Sequence, residues 1–81
     1  MSFARRLVAL VGKGSGPVIA FRSQTVVLRI RGLIEGGEVL LDIDGTEHRF
    51  DADGEYSLLG GEFAKATNNS SKGVICELLL A

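Results

Sequence analysis

Polar and apolar residues alternate with period two through much of this chain, in short runs separated by glycine. That period sets successive side chains on opposite faces of an extended strand. The pattern therefore predicts several short strands joined by turns. Residues 24–32 show it most clearly: Val26, Leu28 and Ile30 share one face, and Val27, Arg29 and Arg31 share the other. Glu35-Gly36-Gly37 supplies the turn that follows. Residues 38–44 make the next strand, with Val39, Leu41 and Ile43 inward and Glu38, Leu40 and Asp42 outward.

Asp44-Gly45 then predicts a tight hairpin, because a type I′ turn takes positive φ at both central residues. Such a loop pairs Ile43 with Thr46, Leu41 with His48 and Val39 with Phe50, all on the inner face, so turn and pattern agree. It also sets Asp42 opposite Glu47, a repulsion that Arg29 or Arg31 on the preceding strand would offset. Asp53-Gly54 repeats the turn signal, but there the parity fails. A two-residue loop would set inward Phe50 opposite Ser57 and leave Tyr56 and Leu58 on the other face. A longer loop, a bulge or a strand that crosses to a second sheet is expected instead, and a crossing suits a sandwich or barrel, which needs corners.

Residues 63–67 read as a further short strand, 68–73 as a polar loop and 74–80 as the last strand, apolar on both faces. Residues 7–11 are also apolar on both faces. They read as an ordinary first strand or, with Arg5 and Arg6 before them, as an arm that adds to a neighbour's sheet edge. The expected fold is all-β: a single domain over residues 1–81, built as a small antiparallel β-sandwich or small barrel of about six to eight short strands. Residues 1–16 are its N-terminal strand or arm with a flexible glycine-rich turn.

Composition narrows the functions open to such a domain. Its 81 residues bury a modest core, and a domain of this size gains stability from a disulfide, a metal or a partner. Cys76 is the one cysteine and His48 the one histidine, so neither an intrachain disulfide nor a structural zinc site can be built. Oligomerisation or docking on a larger assembly is the remaining route. Nine Lys and Arg against ten Asp and Glu argue against nucleic acid. Apolar residues make up 46% and mean hydropathy is +0.25, which implies a dense core or apolar surface kept for a partner. The apolar run 7–11 is too short for a signal-peptide core, and no run approaches a membrane span, so a chain made without export is expected.

Candidate chemistry changes this picture little. Asp42-Ile43-Asp44-Gly45 and Asp51-Ala52-Asp53-Gly54 invite calcium. Set against an EF-hand loop, however, the first positions are Leu40 and Arg49 and the twelfth are Asp51 and Gly60, so turn chemistry explains both copies more simply. Gly12-Lys13-Gly14-Ser15-Gly16 resembles a phosphate loop only in composition, since its lysine does not directly precede Ser or Thr. His48 falls mid-strand on the inner face, with no nucleophile set near it in sequence. Arg22, Arg29, Arg31 and Arg49 read as a basic stripe or, more simply, as cross-strand partners of Glu38, Asp42 and Glu47. Asn68 and Asn69 open N-x-S sequons within what reads as a polar loop. No catalytic, cofactor or metal residues are assigned.

From Gln24 onward the order is an apolar strand, a Gly-Gly turn, a strand ending Asp-Gly, then Tyr56-Ser57-Leu58-Leu59-Gly60, a polar loop and an apolar last strand. This rhythm resembles small bacteriophage virion proteins with an immunoglobulin-like or jelly-roll-like sandwich, such as head-decoration and tail-associated proteins. Antibody-type relatives are excluded, for they carry a Cys–Trp–Cys core and this chain has no Trp. The resemblance implies a non-enzymatic structural role in a virion assembled in the host cytoplasm, with repeated copies bound to one another and to other virion proteins. A soluble adaptor or ligand-binding β module of another bacterial complex is the alternative. Phe3, Arg5, Arg6, Ile75 and Leu79 are the candidate partner contacts, being apolar or basic beyond what one small core needs.

Overall fold

The computed structural model describes residues 4–10, by their backbone course, and residues 14–80. They form β1 (Ala4–Leu10), β2 (Gly14–Ser15), β3 (Ile19–Arg31), β4 (Val39–Ile43), β5 (Thr46–Phe50), β6 (Gly54–Asn68) and β7 (Val74–Leu80). Every pairing is antiparallel. The order across the sheet is β1-β7-β3-β6-β4-β5, and β2 also lies beside β6.

The β4–β5 hairpin has the register that alternation and turn chemistry predict. Ile43 faces Thr46, Leu41 faces His48 and Val39 faces Phe50, with Asp44 at φ 50° and Gly45 at φ 89° in the turn. Val26, Leu28 and Ile30 are buried, as their parity requires, and so are Val74, Cys76, Leu78 and Leu80 on β7.

The two longest strands turn this sheet into a sandwich. β6 has 15 residues and β3 has 13. A straight 15-residue strand would measure about 45 Å, yet the longest dimension of the molecule is 34 Å. β6 therefore bends. Its first half pairs with the C-terminal half of β3, and its second half pairs with β4 on one edge and with β2 and the start of β3 on the other. One layer thus holds β1, β7 and the first half of β6, the other holds β2, β4, β5 and the second half of β6, and β3 runs through both. Val26, Leu28, Ile30 and the inward residues of β7 meet Val39, Leu41, Ile43, Ala64 and Ala66 in one core. Burying each larger aliphatic side chain there contributes about 1.5–3 kcal/mol.

Two local expectations are corrected and one is met. Residues 63–67 are not a separate strand. Gly60 and Gly61 bend β6 without ending it, because pairing with β3 continues on both sides of them, through a one-residue slip between Ala20 and Ser23. The Asp53-Gly54 turn makes no hairpin, as the failed parity predicts. β5 pairs with β4, β6 starts beside β3, and the crossing brings Tyr56 to the same side as Phe50, their ring centroids 4.4 Å apart. Nor do Arg29 and Arg31 offset the Asp42–Glu47 pair. Arg29 lies 2.9 Å from Glu55 and 3.6 Å from Glu77, while Arg49 sits 3.5 Å from both Glu38 and Glu47.

Candidate protein-binding surface

A jelly-roll-like sandwich can hold a ligand inside or meet a partner outside, and the interior here is filled. The space between Ile19, Leu28, Leu41, Ala64, Ala66, Cys76 and Leu78 is about 10 Å³, too little for a small molecule. Among the described residues no group of three or more His, Cys, Asp or Glu is placed to hold a metal ion. His48 is half-buried on the inner side of β5. Burial pushes the Cys76 thiol from 9.0 up to about 11, so it stays protonated at neutral pH.

The outside of the second layer is different. Val18, Leu40, Phe63, Ala64, Lys65, Thr67, Asp42, Asp44, Gly45 and Glu47 line a groove of about 510 Å³. Val18 is 62% exposed and Phe63 54%, while Leu40 on the neighbouring strand β4 is half-buried. Asp42, Asp44 and Glu47 stand on the rim with Lys65, and Arg49 lies 3.5 Å from Glu47. An apolar floor with an acidic rim suits a segment that is apolar and basic.

The turn chemistry that closes the hairpin also positions this groove. Asp42 accepts a hydrogen bond from the Gly45 amide at 2.9 Å. The Asp44 carboxylate accepts from the Glu62 amide at 3.1 Å and from the Phe63 amide at 3.0 Å, and the Asp44 amide donates to the Phe63 carbonyl at 3.0 Å. Asp44 thus clamps the hairpin tip to the backbone that carries Phe63. Asp53 does the equivalent at the crossing, accepting from the Gly32 and Leu33 amides at 3.1 and 2.8 Å. In both DxDG copies the second aspartate serves as a clamp on backbone N–H groups distant in sequence, on β6 for Asp44 and just after β3 for Asp53.

The residues picked from sequence as contacts lie elsewhere, on and around β1 and β7. Phe3 falls outside the described residues. Arg5 pairs in register with Leu79 and Arg6 with Leu78. Ile75 is 48% exposed and Leu79 half-buried. They belong to the first layer, away from the groove. Of the groove's apolar residues, only Leu40 carried a signal in the sequence, as an aliphatic on the outward parity of β4. Val18 and Phe63 become neighbours only because β6 carries Phe63 past its bend to the start of β3, where it pairs with Ala20.

Among solved structures the chain is similar to the Schizosaccharomyces pombe Cnp3 cupin domain, with a TM-score of 0.66 and 20% identity over 99% of this chain and 52% of that one. The chain therefore spans about half the length of that structure, and the likeness is one of fold, a jelly-roll type of β domain. No family model matches the chain, and no curated protein matches it in sequence.

Proposed function

We propose that this domain is a non-enzymatic assembly module that binds other proteins through the outer groove of its second layer. The observation that carries the reading is the position of the apolar side chains. The interior is filled, while Val18 and Phe63 stand in solvent beside Asp42, Asp44 and Glu47. Adjacent exposed apolar groups rimmed by charge mark a contact surface. That chemistry suits a protein segment that offers an apolar side chain with Lys or Arg beside it, drawn in by charge complementarity.

In its narrower form the module belongs to a bacteriophage virion, as a capsid decoration or a tail or head–tail accessory. There it binds further copies of itself and other virion proteins, and needs no cofactor, nucleic acid or membrane. The strand rhythm and the jelly-roll-like fold support that form. An adaptor or ligand-binding β module of another bacterial complex is the second form, and quantifying the chain in purified particles separates the two.

The groove is tested by peptide display against the purified domain. The expected outcome is enrichment of peptides pairing Lys or Arg with aromatic or aliphatic residues, with binding weakened about tenfold or more by Phe63→Ser. No enrichment, or binding indifferent to Phe63→Ser in a folded variant, overturns the reading.

A further inference from the structure

We propose that β1 is a self-association seam, at which two copies of the chain pair their β1 strands antiparallel about Leu7 and join two sheets into one. The proposal rests on the reading of the domain as an assembly module and names one of its partners as a second copy.

Along the strand path the sheet ends in two edge strands, β1 and β5, and the two-residue β2 lies off that path beside β6. An open edge presents a row of unpaired N–H and C=O groups, and proteins that stay monomeric guard such edges with charge or proline. β5 is guarded: Glu47 and Arg49 alternate along Thr46-Glu47-His48-Arg49-Phe50. β1 is not. It reads Ala4-Arg5-Arg6-Leu7-Val8-Ala9-Leu10, with no proline and no charge after Arg6. Its inner edge pairs with β7 along the whole of Ala4–Leu10, and among the described residues no strand takes its outer edge.

Symmetry selects the register. Two antiparallel strands related by a twofold axis normal to the sheet must centre on a residue, because a one-residue slip would bring opposite faces together. Centring on Arg6 sets two guanidinium-bearing residues directly opposite each other, which is repulsive. Centring on Leu7 uses all seven residues. Leu7 then meets Leu7, each Arg6 meets Val8 and each Arg5 meets Ala9, so no arginine faces an arginine. The neighbouring strand fits the same arrangement. Ile75 pairs with Ala9 and Leu79 with Arg5, so one row across the seam reads Ile75, Ala9, then Arg5 and Leu79 of the second copy. The exposed Ile75 thereby gains a sheet that continues beside it.

The test uses the full chain. Light scattering coupled to size exclusion, over a micromolar dilution series, is expected to show a dimer that dissociates on dilution. Leu7→Lys, which opposes two ammonium groups at the axis, should raise the dissociation constant about tenfold or more. Since that variant could simply fold poorly, Leu7→Cys provides a second readout. Residues directly opposite on antiparallel strands have Cα atoms about 4.5–5.5 Å apart, within disulfide range. Mild oxidation should therefore link Leu7→Cys to its own copy efficiently, and Ala9→Cys, which faces Arg5 across the seam and Ile75 within the chain, far less. A monomer at every concentration, or a dimer that Leu7→Cys does not link, overturns the seam. If such a protein still binds basic–apolar peptides through Phe63, the assembly reading stands without it. A linked dimer that binds no peptide supports the seam and removes the groove.

Discussion

Asn68 is fully buried at the end of β6, in a stretch that reads from sequence as a polar loop. Its side chain is what makes that burial tolerable. The amide nitrogen donates to the Lys72 carbonyl and the amide oxygen accepts from the Ser70 amide, each at 3.0 Å, so one residue holds the crossing from β6 to β7. Asn68→Ala removes both bonds inside a space closed to water. We expect a loss of about 1–3 kcal/mol, measured by urea unfolding, and a smaller loss for Asn69→Ala, whose side chain is exposed. Cys76 gives a pH prediction of the same scale. Its thiol is raised from 9.0 in the open chain to about 11 in the fold, so the folded state favours the neutral form. That contribution is complete below pH 9 and is lost as the pH rises through 11. Stability measured from pH 8 to 11 should fall more steeply for the natural chain than for Cys76→Ala, and reaction with a thiol reagent at pH 8 should be limited by opening of the fold.

Among the elements, β6 departs furthest from its reading in the sequence. Gly60-Gly61 is a turn signal by composition, and nothing local distinguishes a turn from a bend. The distinction lies in what approaches the glycines. A Cβ at Gly60 would overlap the Ser23 carbonyl of β3, and one at Gly61 would overlap the Asp44 carboxylate. These contacts come from residues distant in sequence, so a single-strand pattern cannot contain them. Gly60→Ala must displace backbone, because the clashing atoms belong to the main chain of β3. We expect it to cost about 3 kcal/mol, whereas Gly36→Ala, which meets nothing within 4 Å, pays only for its φ of 83°. Thermal melts of the two variants check the contrast. The β4–β5 hairpin lies at the other extreme. Its register was legible because turn and alternation are both local and agree.

At the scale of the whole molecule, few strand pairs are neighbours in sequence. Among the described residues β4–β5 is the single hairpin between consecutive strands; β1 pairs with β7, and β3 with β6 and β7. Chain between such partners must lose its freedom before the pairing repays it, which slows folding. We expect refolding on a scale of about milliseconds to seconds, read by stopped-flow Tyr56 fluorescence. Microsecond refolding would mean that local structure carries more of the stability than this topology allows. The same long-range pairing builds the groove, since Val18, Leu40 and Phe63 come from three separate stretches of chain.

By itself the sequence determined the class of the fold, the inward faces of β3, β4 and β7 and the register of one hairpin. Each depends on period-two alternation or on the dihedral needs of an Asp-Gly turn, and both act over a few residues. Tertiary structure alone decided that β3 and β6 span both layers, that Arg29 meets Glu55 and Glu77, and that Phe63 stands in a groove. Those outcomes depend on which strands become neighbours, and that is set by closing one core over the whole chain, where a bend at two glycines changes the partners of every residue beyond it.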